Sequence, residues 1–211
     1  MKNYSNLKLD DAYLKNHLLE VKEKLEKKGF SVVVMNDASK IRKFIEDFIP
    51  DEALVGLDGS SIIEDLDIPL YLRNNWNVII DPFQKDLAPE IRKYLADKLP
   101  STEYFITSPV GLTNNGTIVF NKNNSFLVNG NIEKPENVIA FINYSNILKN
   151  EGEINLKINE EHFIMEVCPF GLNKNIIDNY GQIEEIEEKA SKFKYRQNTF
   201  TIVLLIEELV Y

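Results

Sequence analysis

The stretch Ala53 to Ser61, ALVGLDGSS, decides the reading of this chain, together with Phe105 to Val119, FITSPVGLTNNGTIV. Each begins as an apolar run of strand length and passes into glycine and hydroxyl residues. A short apolar run bounded by turn residues reads as a strand buried on both faces, as in parallel sheet. Ligands of open α/β sheets bind just outside the carboxyl ends of such strands. Function is therefore expected where these two runs end.

Working outward, Tyr13, Leu14, His17, Leu18, Val21 and Leu25 recur at helical spacing, and Gly29 can stop that helix. Phe30 to Met35 reads as a strand. Asp37 or Ser39 can cap a helix with Ile41, Phe44, Ile45 and Phe48 on its apolar face. Ser60 or Ser61 opens a short helix through Leu66, and Pro69 a second toward Arg73. Trp76 to Ile80 reads as a strand with Trp76 as a core anchor. Pro89 begins a helix through Lys98 with Ile91, Tyr94 and Leu95 facing inward, and Tyr104 to Thr107 is the next strand.

Strands alternating with helices of this length imply parallel βαβ units. The character changes after Val110. Asn114-Asn115-Gly116 reads as a turn before a strand at Thr117 to Phe120. A polar hairpin at Asn121 to Asn124 then leads to a strand at Phe126 to Val128, and Val138 to Asn143 is another. Ile154 to Ile158 and Phe163 to Val167 are strand-like, Lys174 to Lys194 is helical, and Phe200 to Leu209 closes the sheet. The expected fold is α/β: a mostly parallel open sheet with flanking helices and a small β-rich hairpin or flap region. Residues 1–28 form an N-terminal helical segment and 29–211 the main domain, with a small insertion around 150–170.

With 211 residues, of which 44% are hydrophobic, the chain can bury a substantial core. Its net charge of -9 argues against broad nucleic-acid binding, which needs a concentrated basic surface; only Lys192, Lys194 and Arg196 cluster. Ile202 to Ile206, as long an apolar run as any in the chain, is too short to span a bilayer, and MKNYSNLKLDD lacks the apolar core of a signal peptide. No nucleic-acid partner, no membrane insertion and a cytoplasmic location are expected. The single cysteine, Cys168, leaves no intramolecular disulfide and no four-cysteine metal site.

In the first loop Gly56 and Gly59 allow a sharp turn or close ligand approach, and Ser60 and Ser61 place hydroxyls beside a helix start. A helix cap with a tight turn explains the same residues. In the second, Thr107, Ser108 and Thr113 could orient ligand oxygens or cap turns, Asn114 could hydrogen-bond either way, and Gly116 suits a hairpin. Asp58 and Glu64 are the acid–base candidates, and Asp81 could bind ligand or cap the turn before Pro82. His17 reads as a packed histidine. His162 and Cys168, with Glu161 and Glu166 nearby, lack a diagnostic metal spacing, so no metal site is expected.

VGLDGSS at Val55 to Ser61, NVIID at Asn77 to Asp81, ITSPVGLTNNGTIV at Ile106 to Val119 and the ending VLLIEELVY together resemble the LUD domain of LutC/YkgG-type lactate-utilisation proteins. Gly59-Ser60 matches the family's glycine-serine loop, and Thr113-Asn114-Asn115-Gly116 resembles its second segment. Where relatives often carry Asn-Arg-Val, this chain has Asn124-Ser125-Phe126, without the arginine that could contact an anion. The resemblance implies a fold similar to the NagB/RpiA/CoA-transferase group. It also implies a part in organic-acid, specifically lactate, metabolism: a small anionic metabolite in a cleft lined by glycine, serine and threonine, no intrinsic cofactor, and iron–sulfur oxidoreductase subunits as partners that supply the redox centre. A divergent sugar-phosphate isomerase or acyl/CoA transferase, and a non-enzymatic assembly or regulatory module, are the competing expectations.

Overall fold

The computed structural model describes residues 11–35, 38–114, 116–127, 135–150, 153–154, 162–166 and 200–206. Its centre is a six-stranded, wholly parallel sheet of β1 (Ser31–Met35), β2 (Leu54–Leu57), β3 (Val78–Ile80), β4 (Tyr104–Thr107), β7 (Asn137–Asn143) and β10 (Phe200–Leu205), in the order β1-β10-β7-β4-β2-β3. A four-stranded sheet of β5 (Gly111–Thr113), β6 (Thr117–Asn121), β8 (Ile147–Leu148) and β9 (His162–Glu166) runs in the order β8-β5-β6-β9. The helices are α1 (Asp11–Lys27), α2 (Ala38–Phe48), α3 (Ser61–Asp65), α4 (Ile68–Asn74) and α5 (Pro89–Lys98). The sequence expectation of an α/β fold, mostly parallel, with flanking helices and a smaller β-rich region, is what the structure has.

Side chains alternate across a strand, so each strand of the parallel sheet feeds two cores. Val138, Ala140, Ile142, Ile202 and Leu204 point to one face, where α1 contributes Leu18, Val21 and Leu25 and the small sheet contributes Leu112, Ile118 and Phe120. Ile139, Phe141, Val203 and Leu205 point to the other, covered by Ile41 and Ile45 of α2, Ile62 and Ile63 of α3, and Leu72 of α4. Every residue of β10 is buried, which is why its sequence FTIVLL shows no polar face.

Several local expectations change. Lys122–Leu127 is 3-10 helix, where a polar hairpin running into a strand from Phe126 was expected; Val128 lies outside the described residues. The last strand ends at Leu205, and residues 207–211 also lie outside them, as do the expected helix at Lys174 to Lys194, Val167 and Cys168, the basic residues Lys192, Lys194 and Arg196, and all but Ile154 of the expected strand through Ile158. α5 buries none of its residues: Ile91 is 51% and Tyr94 61% exposed, against the expected inward face. Apolar spacing shows that a helix could present a stripe, but not that an element stands opposite it. His17 does pack, edge-on to Tyr144 at a ring-centroid distance of 5.8 Å.

Trp76 is not a core anchor: it is 80% exposed, with a left-handed φ of 61°. The reason is the end of α4. The Asn77 amide donates to Leu72 O at 3.0 Å and the Trp76 amide to Arg73 O at 3.2 Å. This pair of bonds needs a left-handed residue after the helix, usually glycine. The same pair closes α1, where Phe30 N–H meets Leu25 O and Gly29 N–H meets Glu26 O, and there the left-handed residue is glycine. Trp76→Gly is therefore expected to stabilise the protein by about 0.5–1 kcal/mol, the relief of left-handed strain exceeding the entropy glycine adds to the unfolded chain. Thermal unfolding checks it: Tm rises by roughly 1–4 °C. A lower Tm would mean that the exposed indole makes stabilising contacts.

Candidate functional site

The parallel order places β4 and β3 on opposite sides of β2. The chain leaves β2 toward β3 on one side, and leaves β4 toward the small sheet and β7 on the other. Loops that diverge in this way open a crevice at the carboxyl ends of the two strands, the topological switch point where α/β sheets hold ligands. Leu57 is in register with Ile106, so the next residues, Asp58 and Thr107, stand side by side at that crevice although 49 positions apart.

Asp58 is the hub. Its Oδ1 accepts the Ser60 amide at 3.0 Å, which closes the loop on itself. Its Oδ2 accepts the Thr107 hydroxyl at 2.6 Å, the Ser108 amide at 2.9 Å and Asn124 Nδ2 at 3.3 Å. Asn124 Nδ2 also donates to Thr107 Oγ1 at 3.2 Å. Thr107 and Asn124 are 0% and 2% exposed, so this is a buried polar knot and not surface decoration. It ties the β2 loop, the β4 loop and the 3-10 turn after β6 to one carboxylate.

Gly59 has φ 67°, and a Cβ built on it would lie 2.3 Å from both Cβ and Cγ of Phe83. The loop thus needs glycine twice, for its conformation and for the aromatic ring laid against it. Phe83 is placed in turn by its amide, which donates to Asp81 Oδ1 at 2.9 Å. Asp81 follows β3 and is 8% exposed. Burial pushes its pKa up from the ordinary 3.8; the Phe83 amide and Arg73 pull it down less strongly, and Glu64 and Asp58 push it up further. Asp81 therefore has two further carboxylates, Asp58 and Glu64, within electrostatic reach, with Arg73 on α4 as the cation acting on it.

A raised carboxylate pKa penalises the ionised folded state. The stability tied to neutral Asp81 is fully present at acid pH, below the unfolded-state value, and is lost as pH rises through the folded-state value. Asp81→Asn keeps an oxygen for the Phe83 amide and abolishes the titration. Its Tm relative to the parent protein is expected to climb between pH 4 and pH 7.5. A relative Tm that falls over that range would contradict burial as the dominant influence on this carboxyl.

The remaining candidates lie in distinct places. Gly56 is inside β2, where a Cβ would meet Leu99 Cδ2 at 3.0 Å and Phe105 Cδ2 at 3.1 Å, so its lack of a side chain serves packing. Ser60 occupies the N-cap of α3, yet its side chain makes no capping hydrogen bond, and its Oγ is buried with no partner among the described residues. Ser61 and Glu64 are exposed on α3. Thr113 Oγ1 accepts the Thr117 amide at 3.1 Å within the β5–β6 turn. Gly116, with φ 78°, packs against Phe30 and Leu25, next to the amino end of β1. The structure therefore gathers Asp58, Gly59, Ser60, Thr107 and Ser108 at the carboxyl edge, while the turn holding Thr113, Asn114 and Gly116 packs toward the opposite edge of the sheet.

Asn124 was missing from the sequence-derived set. Its signal, one asparagine in the polar run Lys122-Asn123-Asn124, is indistinguishable from a surface turn until burial is known. Among the described residues, no group of three His, Cys, Asp or Glu side chains is arranged to hold a metal ion, and no helix is long and apolar enough to cross a membrane.

The LUD domain family model matches residues 18–193 of the chain, which takes in the latter part of α1 and every strand of both sheets except β10. The chain belongs to the LUD domain family. A solved structure similar to this LUD chain is a DUF162 family protein from Deinococcus radiodurans, at 9% identity, with 93% of this chain and 99% of that chain covered and a TM-score of 0.47. No curated protein matches the chain significantly. Membership of the LUD family and the buried polar patch around Asp58 are both consistent with a role in organic-acid metabolism.

Proposed function

We propose that this LUD chain binds a small organic acid of the lactate class at the switch point between β2 and β4, and acts in organic-acid metabolism beside an iron–sulfur oxidoreductase partner that supplies the redox centre. The observation that carries the reading is the knot at Asp58, which ties the loops after β2 and β4 and a third segment together at the place where α/β sheets bind ligands. Rigid first contacts are what a small ligand needs, because it offers few groups to offset the ordering of a loose site.

Within this reading Asp58 is a positioning residue and not a general base. Both of its oxygens are engaged by protein donors, four in all. A base must reach a substrate proton with a free oxygen. That weighs against the isomerase or transferase alternative in its Asp58-based form. Family membership supports the choice of organic acids, and the extension to lactate and to an iron–sulfur partner rests on the family resemblance.

Native mass spectrometry of the freshly purified chain, followed by ligand release and accurate mass, tests the proposal. A small carboxylic acid retained at one equivalent, or bound on titration, is the expected result. A chain that takes up no small acid at millimolar concentration, or that retains a sugar phosphate or acyl-CoA compound instead, overturns it.

A further inference from the structure

We propose that the sheet edge formed by β3 and α5 is a docking face for a second copy of this chain, joined about a two-fold axis perpendicular to the parallel sheet. This face is independent of the organic-acid reading of the crevice.

β3 closes the six-stranded sheet on one side and is bonded only to β2. The Val78 amide donates to Ala53 O at 3.1 Å, just ahead of β2. Backbone groups alternate in direction along a strand, so the N–H and C=O of Ile79 point away from β2, to the open side. Soluble proteins ordinarily protect such an edge with a charge, a proline or a bulge. Val78-Ile79-Ile80 carries none of these, its register with β2 is unbroken, and Val78 is 54% exposed.

The elements beside β3 are left apolar as well. α4 and α5 both pack against the strand. α4 exposes Leu70, and α5 exposes Ile91 and Tyr94, which share a face at a spacing of three. A helix of ten residues does not hold itself in water; it depends on burial of its apolar face. Among the described residues nothing buries any residue of α5. Trp76 belongs to the turn before the strand and stands outside this stripe.

Charge identifies the occupant. Glu90 and Lys98 stand four residues to either side of Tyr94, on the face that carries Ile91. Neither forms an ion pair among the described residues; Lys98 lies over the Tyr94 ring at 5.6 Å. A face with an apolar centre, one sign of charge at one end and the other sign at the opposite end is complementary to itself. Two copies of α5 crossing antiparallel at Tyr94 set Glu90 of each against Lys98 of the other, so one symmetry operation makes the contact twice. The same axis runs β3 antiparallel to its copy, where the outward groups of Ile79 can pair across the edge. β3 continues to Asp81 and Phe83, whose ring lies against Gly59, so the assembly abuts the crevice in each copy.

Sedimentation equilibrium of the full chain at low salt, over roughly 1–100 μM, is the test. The expected species is twice the 24.4 kDa of one chain. Glu90→Lys sets like charges against each other twice per dimer and is expected to weaken association about tenfold or more. Glu90→Lys combined with Lys98→Glu is expected to restore it to within about threefold of the parent. Tyr94→Glu is expected to leave a monomer with the Tm of the dissociated parent, because the ring it removes is exposed. A parent that stays monomeric over the whole range overturns the proposal. So does a dimer that Glu90→Lys and Tyr94→Glu leave intact, since it must use another face. Weakening by Glu90→Lys that the charge swap fails to reverse overturns the antiparallel pairing of α5 with its copy.

Discussion

Asp58→Ala is expected to destabilise the protein by about 3–5 kcal/mol, which lowers Tm by roughly 6–20 °C for a chain of this size. The substitution removes no large apolar volume. Its effect comes from the four donors it abandons: the amides of Ser60 and Ser108, the Thr107 hydroxyl and the Asn124 amide group. Thr107 and Asn124 are almost wholly buried, so water cannot replace the lost acceptor without opening the site. A buried donor left unpaired costs more than the net worth of the bond it had. Asp58→Asn is the informative companion. Its oxygen can serve Thr107, Ser108 and Asn124, but its amino group then meets the Ser60 amide, donor against donor. The expected loss is intermediate, about 1–2 kcal/mol. Equilibrium denaturation of the three proteins gives the comparison. An alanine variant within about 0.5 kcal/mol of the parent would show that the knot is not a stabilising element.

Gly59→Ala is expected to cost about 2–5 kcal/mol and, on the proposed reading of the site, to abolish binding of the small acid even where the variant remains folded. Left-handed backbone costs an alanine about 1–2 kcal/mol relative to glycine. The added methyl then lies 2.3 Å from Phe83, and relieving that overlap costs about another 1–3 kcal/mol in shifted backbone. The clash cannot be removed by shortening Phe83 to alanine. One of the two closest atoms is its Cβ, which alanine keeps. The turn from Asp81 to Phe83 must move instead, against the hydrogen bond from the Phe83 amide to Asp81. The double variant Gly59→Ala with Phe83→Ala is accordingly expected to recover only part of the loss. Full recovery would locate the strain in the ring alone and contradict the geometry of the loop.

The sites of these two substitutions differ in how far the sequence announced them. Gly59 sits in a strand-then-glycine pattern, and a glycine at the end of a buried strand is legible as a turn whose backbone few other residues tolerate. Asp58 was legible as a polar residue in that loop, and its partners were not. The acceptor role it plays depends on Thr107 and Asn124, 49 and 66 positions away. Ser60 read as a helix cap or as a ligand contact, and local pattern could not separate the two, because both place a hydroxyl at the same position. The absence of a capping bond from its side chain was visible only in three dimensions.

By itself the sequence determined the layers. Runs such as FTIVLL and NVIAFIN are apolar on both faces, and only a parallel sheet covered on both sides can bury them, so fold class follows from composition at single-strand resolution. Turn chemistry likewise set where strands end, because the conformations at Gly29, Gly59 and Gly116 are local properties of the backbone. The tertiary structure alone decided which strand ends are neighbours. That β4 lies against β2, that Asn124 comes from a 3-10 turn and reaches the same carboxylate, and that α5 and Trp76 face outward all depend on contacts between distant segments. Periodicity reports how one element distributes its apolar side chains. It carries no information about what stands opposite them, and a site assembled from three separate loops exists only in that second kind of information.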